Sequence, residues 1–128
     1  MQTPKNLHYT KEHEWIKIDG DIAILGITDF AQHMLTDVVY VEPPKIGLTL
    51  AAKQPFMVIE SVKSVSDIFA CLAGQITEVN NVIVGDPAII NKDPYGQGWL
   101  VKIKLETNHD VEHLMSAQEY AKFCEDAE

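Results

Sequence analysis

A near-symmetric stretch in mid-chain, Phe56-Met57-Val58-Ile59-Glu60-Ser61-Val62-Lys63-Ser64-Val65-Ser66-Asp67-Ile68-Phe69-Ala70, constrains the fold more than any other feature. Strand-forming residues flank Lys63 on both sides and small polar residues surround it, so the stretch reads as a β-hairpin with one amine at its tip. Folding it about the lysine predicts Val58 beside Ile68 and Met57 beside Phe69. A solvated lysine has a pKa of about 10.4 and stays cationic at neutral pH, which suits it poorly to Schiff-base or nucleophilic work. Such a tip is suited to presenting its amine to an enzyme that modifies it. A charge that merely stays hydrated is the plain alternative. Against it stand Gly47, 16 residues before the lysine, and Gly74, 11 residues after it, each where a strand is expected to turn sharply into backbone that glycine adopts without steric cost. A tip framed in this way resembles a built platform.

At 128 residues the chain is expected to form a single domain over 1–128, with a β core over about 7–106 and a C-terminal helical segment over about 110–125. That length buries roughly two thirds of the unfolded surface without staples. Nineteen acidic against ten basic side chains give a formal charge of -9, and the lysines are scattered singly. Nucleic acid and anionic membranes would be repelled, whereas basic patches on partner proteins would be attracted. The expectation is a monomer. Cys71 and Cys124 form no CxxC pair and have no histidine at ligand spacing, which favours structural roles. Residues 1–10 show neither a secretory nor a transit pattern, and no window approaches a membrane span. The expected compartment is the cytoplasm, unless a leader has already been removed.

Glu14-Trp15-Ile16-Lys17-Ile18, the turn pair Asp19-Gly20 and Asp21-Ile22-Ala23-Ile24-Leu25 predict a first hairpin. Thr28 to Leu35 has helical spacing, and Asp29 with Gln32 resembles a capping box, so a short helix is expected near 29–35. A strand, turn and strand unit then repeats at an offset of 38: Val41 precedes Gly47 as Val79 precedes Gly85. The second copy's closing strand, Trp99 to Lys104, arrives about five residues late, after the turn-rich Asn91-Lys92-Asp93-Pro94-Tyr95-Gly96-Gln97-Gly98. Two such units predict two sheets closing as a flattened barrel or sandwich, mainly β. Asp110 to Met115 and Ser116 to Cys124 read as helices packed outside that core, with Ser116 and Glu119 as a second capping box.

Three further patterns have competing readings. His109-Asp110-Val111-Glu112-His113 matches H-x-x-E-H, which could hold zinc beside a glutamate base. The site would face solvent, so a solvated helix face is favoured. Gly96-Gln97-Gly98 lacks the third glycine and the strand-to-helix setting of a phosphate loop, and reads as a loop. His13-Glu14-Trp15 holds a titratable pair without a nucleophile placed by pattern to complete a triad.

Taken together, Thr10-Lys11-Glu12-His13-Glu14-Trp15, Gly26-Ile27-Thr28-Asp29-Phe30-Ala31-Gln32, Asp37-Val38-Val39-Tyr40-Val41-Glu42, Glu60-Ser61-Val62-Lys63, Ser66-Asp67, Asn91-Lys92-Asp93-Pro94-Tyr95-Gly96 and Gly98-Trp99 resemble the H-protein family of the glycine cleavage system, which are lipoyl carriers. The likeness runs from about Leu7 to Cys124. Biotin carriers place Met on both sides of the lysine and 2-oxo acid dehydrogenase lipoyl domains usually place Asp before it; Val62 and Ser64 fit neither.

The resemblance implies a barrel-sandwich hybrid of the lipoyl-domain kind and no catalysis by the chain itself. It implies lipoic acid amide-linked to Lys63, put there by a lipoate-protein ligase or a lipoyl/octanoyl transferase. The arm would pass an aminomethyl group and reducing equivalents between glycine decarboxylase, aminomethyltransferase and dihydrolipoyl dehydrogenase. Tethering raises the local concentration of the sulfurs at each partner. Glu14 and Asp67 match positions that would line a cleft for the loaded arm. Met34 stands where some relatives have a contributing histidine, with His33 beside it; Thr36 replaces a usual glycine, Pro43 a leucine and Cys71 a proline. Cys71 is expected to be buried and inert. Three other readings remain: a lipoyl relay protein donating lipoyl groups to other enzymes, a small hydrolase built on His109 and His113, and an unmodified β-rich interaction module.

Overall fold

The computed structural model describes residues 2–106, 111 and 113–127. Among these residues nine strands occur in chain order: β1 (His8–Tyr9), β2 (Glu14–Asp19), β3 (Ile22–Ile27), β4 (Val38–Glu42), β5 (Thr49–Leu50), β6 (Pro55–Ser61), β7 (Val65–Phe69), β8 (Gly74–Val79) and β9 (Val101–Leu105). Four helices accompany them: α1 (Asp29–Leu35), α2 (Asn81–Gly85), α3 (Ile89–Lys92) and α4 (Ala117–Ala127). The strands form a six-stranded sheet in the order β1-β2-β3-β9-β8-β5 and a three-stranded sheet in the order β4-β6-β7. All pairings are antiparallel. The mainly β, two-sheet sandwich with accessory helices is the lipoyl-domain-like architecture expected.

Alternation explains how the sheets close. In β9, Val101, Ile103 and Leu105 are buried while Lys102 and Lys104 lie on the other face, the period of two that packs one side of a strand. Ile16, Leu25, Ile76 and Ile103 from the large sheet meet Val41, Met57, Ile59 and Ile68 from the small one in a single core. Each such aliphatic side chain, fully buried, contributes roughly 1.5–3 kcal/mol relative to exposure. A second cluster, Leu7, Tyr9, Trp15, Phe30, Tyr120 and Cys124, seats α4 on the N-terminal strands.

The 38-residue repeat has a structural counterpart. Val41 pairs with Ile59 in the small sheet, and Val79 pairs with Val101 in the large one. The copies diverge between their paired strands: the first contains β5, whereas the second folds as α2 and α3.

Four details depart from expectation. The Lys63 hairpin is paired one residue away from the symmetric register, with Met57 opposite Ile68, Val58 opposite Asp67 and Glu60 opposite Val65. Because a slip of one residue exchanges the faces, this register is the one that buries Met57, Ile59 and Ile68 together. The N-cap of α1 is Thr28, whose Oγ1 accepts from Ala31 N at 3.1 Å, while Asp29 Oδ1 accepts from Gln32 Nε2 at 2.7 Å. Gly47 does adopt a positive φ of 95°, but Gly74 lies inside β8, where a Cβ would strike the backbone carbonyl of Lys104. It permits close strand approach rather than a turn.

The fourth departure is in the tail, where the helix expected up to Met115 gives way to a bridge. Met115 N donates to Tyr9 O at 2.7 Å and Tyr9 N to Met115 O at 2.9 Å. His109, Asp110 and Glu112 of that segment lie outside the described residues. The Ser116 capping box does form: Ser116 N donates to Glu119 Oε1 at 3.0 Å, and Glu119 N to Ser116 Oγ at 3.2 Å.

Candidate functional site

Val62 and Lys63 form the tip of the β6–β7 hairpin, closed by a hydrogen bond from Ser61 N to Ser64 O at 2.8 Å. Two-residue loops usually need positive φ at one or both central positions, and neither residue has it. Ser61 holds the turn instead, its Oγ accepting from Lys63 N at 3.2 Å and Ser64 N at 3.0 Å. The loop is tied down from outside as well, because Val62 N donates to Asp37 O at 3.0 Å.

Lys63 is exposed, and its ammonium group donates to the carbonyl of Met34 at 3.2 Å. That carbonyl belongs to the last turn of α1, where acceptors lack partners within the helix and the helix dipole favours a cation. The seat is braced from below. Asn91 Oδ1 accepts from Val38 N at 2.9 Å, and its Nδ2 donates to Thr36 O at 2.7 Å and Gln32 Oε1 at 3.1 Å, fastening the end of α1 to the start of β4. Thr36, the C-cap between them, has φ 62° and ψ -146°, left-handed backbone better suited to glycine. Sequence reasoning missed this seat, because Met34 and Asp37 act through backbone oxygens that any residue would supply.

Glu14 and Asp67 occupy different surroundings. Glu14 is buried, and its Oε2 accepts from Phe69 N at 2.7 Å on the outer edge of β7. Its Oε1 accepts from Thr10 Oγ1 at 3.2 Å and from the Cys71 thiol at 3.7 Å. Burial, which penalises the charged carboxylate, pushes its pKa up to about 7 against those hydrogen bonds. Cys71 is buried as expected, and burial, with Glu14 second, pushes its thiol up as well. Asp67 is exposed on the outer face of the small sheet, in a groove of about 360 Å³ that it shares with Glu42, Pro43, Phe56 and Val58. Asp67 therefore lies on the face of β7, whereas Glu14, on β2, bonds the edge of that strand two residues further on, at Phe69.

The remaining sequence patterns resolve into structure. His13 turns away from Glu14, its Nδ1 lying 2.8 Å from the Tyr120 hydroxyl, which is 2.7 Å from Thr28 Oγ1. Gly96 and Gly98 lie in a loop closed on Asp93, whose carbonyl accepts from Gly98 N at 2.9 Å. His113 Nε2 is 3.1 Å from Cys71 O, and among the described residues no group of three His, Cys, Asp or Glu side chains could hold a metal ion. No helix among them is long and apolar enough to cross a membrane.

Two antiparallel sheets closed as a sandwich, with short helices beside them, define the class of lipoyl-domain-like folds. The Glycine cleavage H-protein family profile matches residues 7–127, and the chain belongs to that family. It is similar to the glycine cleavage system H protein of Halothermothrix orenii, with 48% identity over 128 residues that span 100% of both chains. The H protein of Bacteroides thetaiotaomicron is 50% identical over 120 residues, 94% of this chain and 95% of its own. A crystal structure of the H protein from Mycobacterium marinum superposes with a TM-score of 0.85 at 42% identity, covering 93% of this chain and 96% of that one. Membership makes the chain a non-catalytic lipoyl carrier that shuttles intermediates within the glycine cleavage system.

Proposed function

We propose that Lys63 is the lysine that carries the lipoyl group, and that the chain acts over 1–128 as one carrier unit in the cytoplasm. The observation that carries this reading is the Lys63 ammonium group, exposed at the end of a tied-down loop with one bond, to the Met34 carbonyl. The residues present fit the group. An amide nitrogen keeps one hydrogen, so after acylation the bond to Met34 O can persist and fix the root of the arm although the positive charge is gone.

When attached, the lipoyl group supplies a dithiolane that takes up the glycine-derived aminomethyl fragment and reducing equivalents. The partners in this reading are glycine decarboxylase, aminomethyltransferase and dihydrolipoyl dehydrogenase, with a lipoate-protein ligase or a lipoyl/octanoyl transferase making the attachment. Glu14 and Asp67 are the carboxylates assigned to receive the amine of the loaded arm. Asp67 is open to it, whereas Glu14 is buried and already accepts from the Phe69 amide.

Intact mass of the chain from a lipoate-competent host tests the reading. A lipoyl-sized increase is expected in the native chain and none in Lys63→Arg. A chain that stays bare with ligase and lipoate supplied sinks it. Glycine-dependent loading by the decarboxylase then separates a glycine-cleavage carrier from a lipoyl relay.

A further inference from the structure

The connector between α1 and β4 makes both bonds that reach the hairpin tip from outside, Met34 O to Lys63 Nζ and Asp37 O to Val62 N. Burial does not hold it: Met34, Thr36 and Asp37 are exposed, and Leu35 is half-buried. Its backbone at Thr36, with φ 62° and ψ -146°, is one that a threonine keeps only where the surroundings enforce it. The enforcing group comes from far away in sequence. Asn91 bonds residues on both sides of the connector, its Nδ2 donating to Gln32 Oε1 and Thr36 O and its Oδ1 accepting from Val38 N. Val38 N needs an acceptor and Thr36 O a donor, and an amide satisfies both from one position, whereas a carboxylate satisfies only the first. Asn91 itself has a firm base. It belongs to α3, where Ile90 is fully buried, and that helix is closed by Asp93 N donating to Ile89 O at 2.8 Å. The following loop grips the other end of α1, because the Tyr95 hydroxyl accepts from Asp29 N at 3.0 Å.

We propose that Asn91 is a positioning residue for the acylation of Lys63: by fixing the connector it fixes the Met34 carbonyl, and through that carbonyl the direction in which Nζ faces solvent. The inference rests on the reading of Lys63 given above. Acylation by a lipoyl adenylate forms the bond from Nζ to the acyl carbon, breaks the acyl–phosphate bond so that AMP leaves, and takes two protons from the ammonium group. One N–H remains on the nitrogen. With that hydrogen directed at Met34 O, the nitrogen keeps its reacting side outward, and the product amide retains the same bond. A Met34 carbonyl free to wander would leave Nζ without a set orientation, so each productive encounter would have to find it by chance. Asn91 acts on the amine through the connector.

The test combines two readouts on the full-length chain: single-turnover transfer from preformed lipoyl adenylate on a lipoate-protein ligase, and hydrogen exchange of the lipoyl-lysine amide, isotopically labelled at Nζ, in the acylated product. Asn91→Asp keeps an acceptor for Val38 N and loses both donated bonds. It is expected to lower the maximal transfer rate about three- to tenfold at an unchanged half-saturating concentration, and to speed exchange of the amide by a similar factor, the weight of one hydrogen bond. Asn91→Ala is expected to do both to a greater extent. Tyr95→Phe loosens α1 at its other end and is expected to lower the melting temperature while leaving transfer and exchange as in the native chain. Equal slowing by Tyr95→Phe would make general loosening the cause and overturn the positioning role. Native transfer and native exchange in both Asn91 variants would overturn it too, and would leave the Lys63 reading standing. In the native chain alone, Val38 and Val62 amides that exchange as fast as unstructured ones would show that the connector is not held, and would overturn it whatever the variants do. A native chain that accepts no lipoyl group removes the Lys63 reading and this inference with it.

Discussion

The two sheets divide the work of the molecule. The six-stranded sheet contributes Ile16, Leu25, Ile76 and Ile103 to the core, and carries Lys17, Lys102 and Lys104, with Lys102 ion-paired to Glu78 at 2.9 Å and 5.1 Å above the Trp99 ring. The three-stranded sheet carries acidic residues, exposed valines and, at its hairpin tip, the exposed Lys63. Both pairings of the small sheet contain a register shift, at Val38/Tyr40 and Pro55/Met57, whereas the large sheet has one, in β8·β9. Irregular pairing of this kind is how strands re-aim side chains near functional sites. A formal charge of -9 is therefore not spread evenly: the strands of the large sheet carry lysines alongside Glu14, Asp19 and Glu78, whereas those of the small sheet carry acidic charges alone, Glu42, Glu60 and Asp67.

This division can be broken first where it bears most on stability. Ile103→Ala in the large sheet should cost about 2–5 kcal/mol, while Val65→Ala on the outer face of the small sheet should stay within about 0.5 kcal/mol, both read from urea unfolding. Equal losses would abolish the distinction between scaffold and presenting sheet.

Next comes Glu14, which links β2 of the large sheet to the edge of β7. Its carboxyl titrates near 4.5 when free and near 7 in the fold, so the folded chain binds the extra proton between those values. The contribution is fully present below 4.5 and is lost as pH rises through about 7, a change on the order of 3 kcal/mol. Glu14→Gln keeps an acceptor for Phe69 N and should flatten the stability profile between pH 5 and pH 8. A wild-type and variant difference that does not change with pH would show that Glu14 is ionised throughout.

The smallest effect is at the lysine seat. Thr36→Gly should raise stability by about 1 kcal/mol, because relief of left-handed backbone outweighs the added freedom of the unfolded chain. A loss in thermal melting would mean that the threonine side chain contributes more than its backbone costs.

Much of this architecture is legible from residue pattern, because burial of alternating residues leaves a period of two. Both hairpins and the repeated strand pair leave that trace, while the short helix leaves a spacing of three and four residues and the second capping box a Ser and a Glu three apart. The register of the Lys63 hairpin is not legible from symmetry: the sequence is symmetric about a residue, whereas a two-residue loop needs its centre between residues, at Val62 and Lys63. Thr28 and Asp29 are both good caps, and tertiary packing against Tyr120 selects the first. None of the described residues in the tail's first helical pattern is helical, and Met115 bonds instead to Tyr9, a backbone partner far away in sequence. At the site, Lys63 announces itself, but Met34 and Asp37 support it through main-chain oxygens, which have no side-chain signature.

Asn91 opens the turn-rich stretch by which the second strand pair outruns the first, and from there it reaches back to Gln32, Thr36 and Val38. The spare length of one duplicated half thus acts as a buttress for the other half's working end. Trimming the copies to equal size would restore their likeness and loosen the seat on which the Lys63 amine rests.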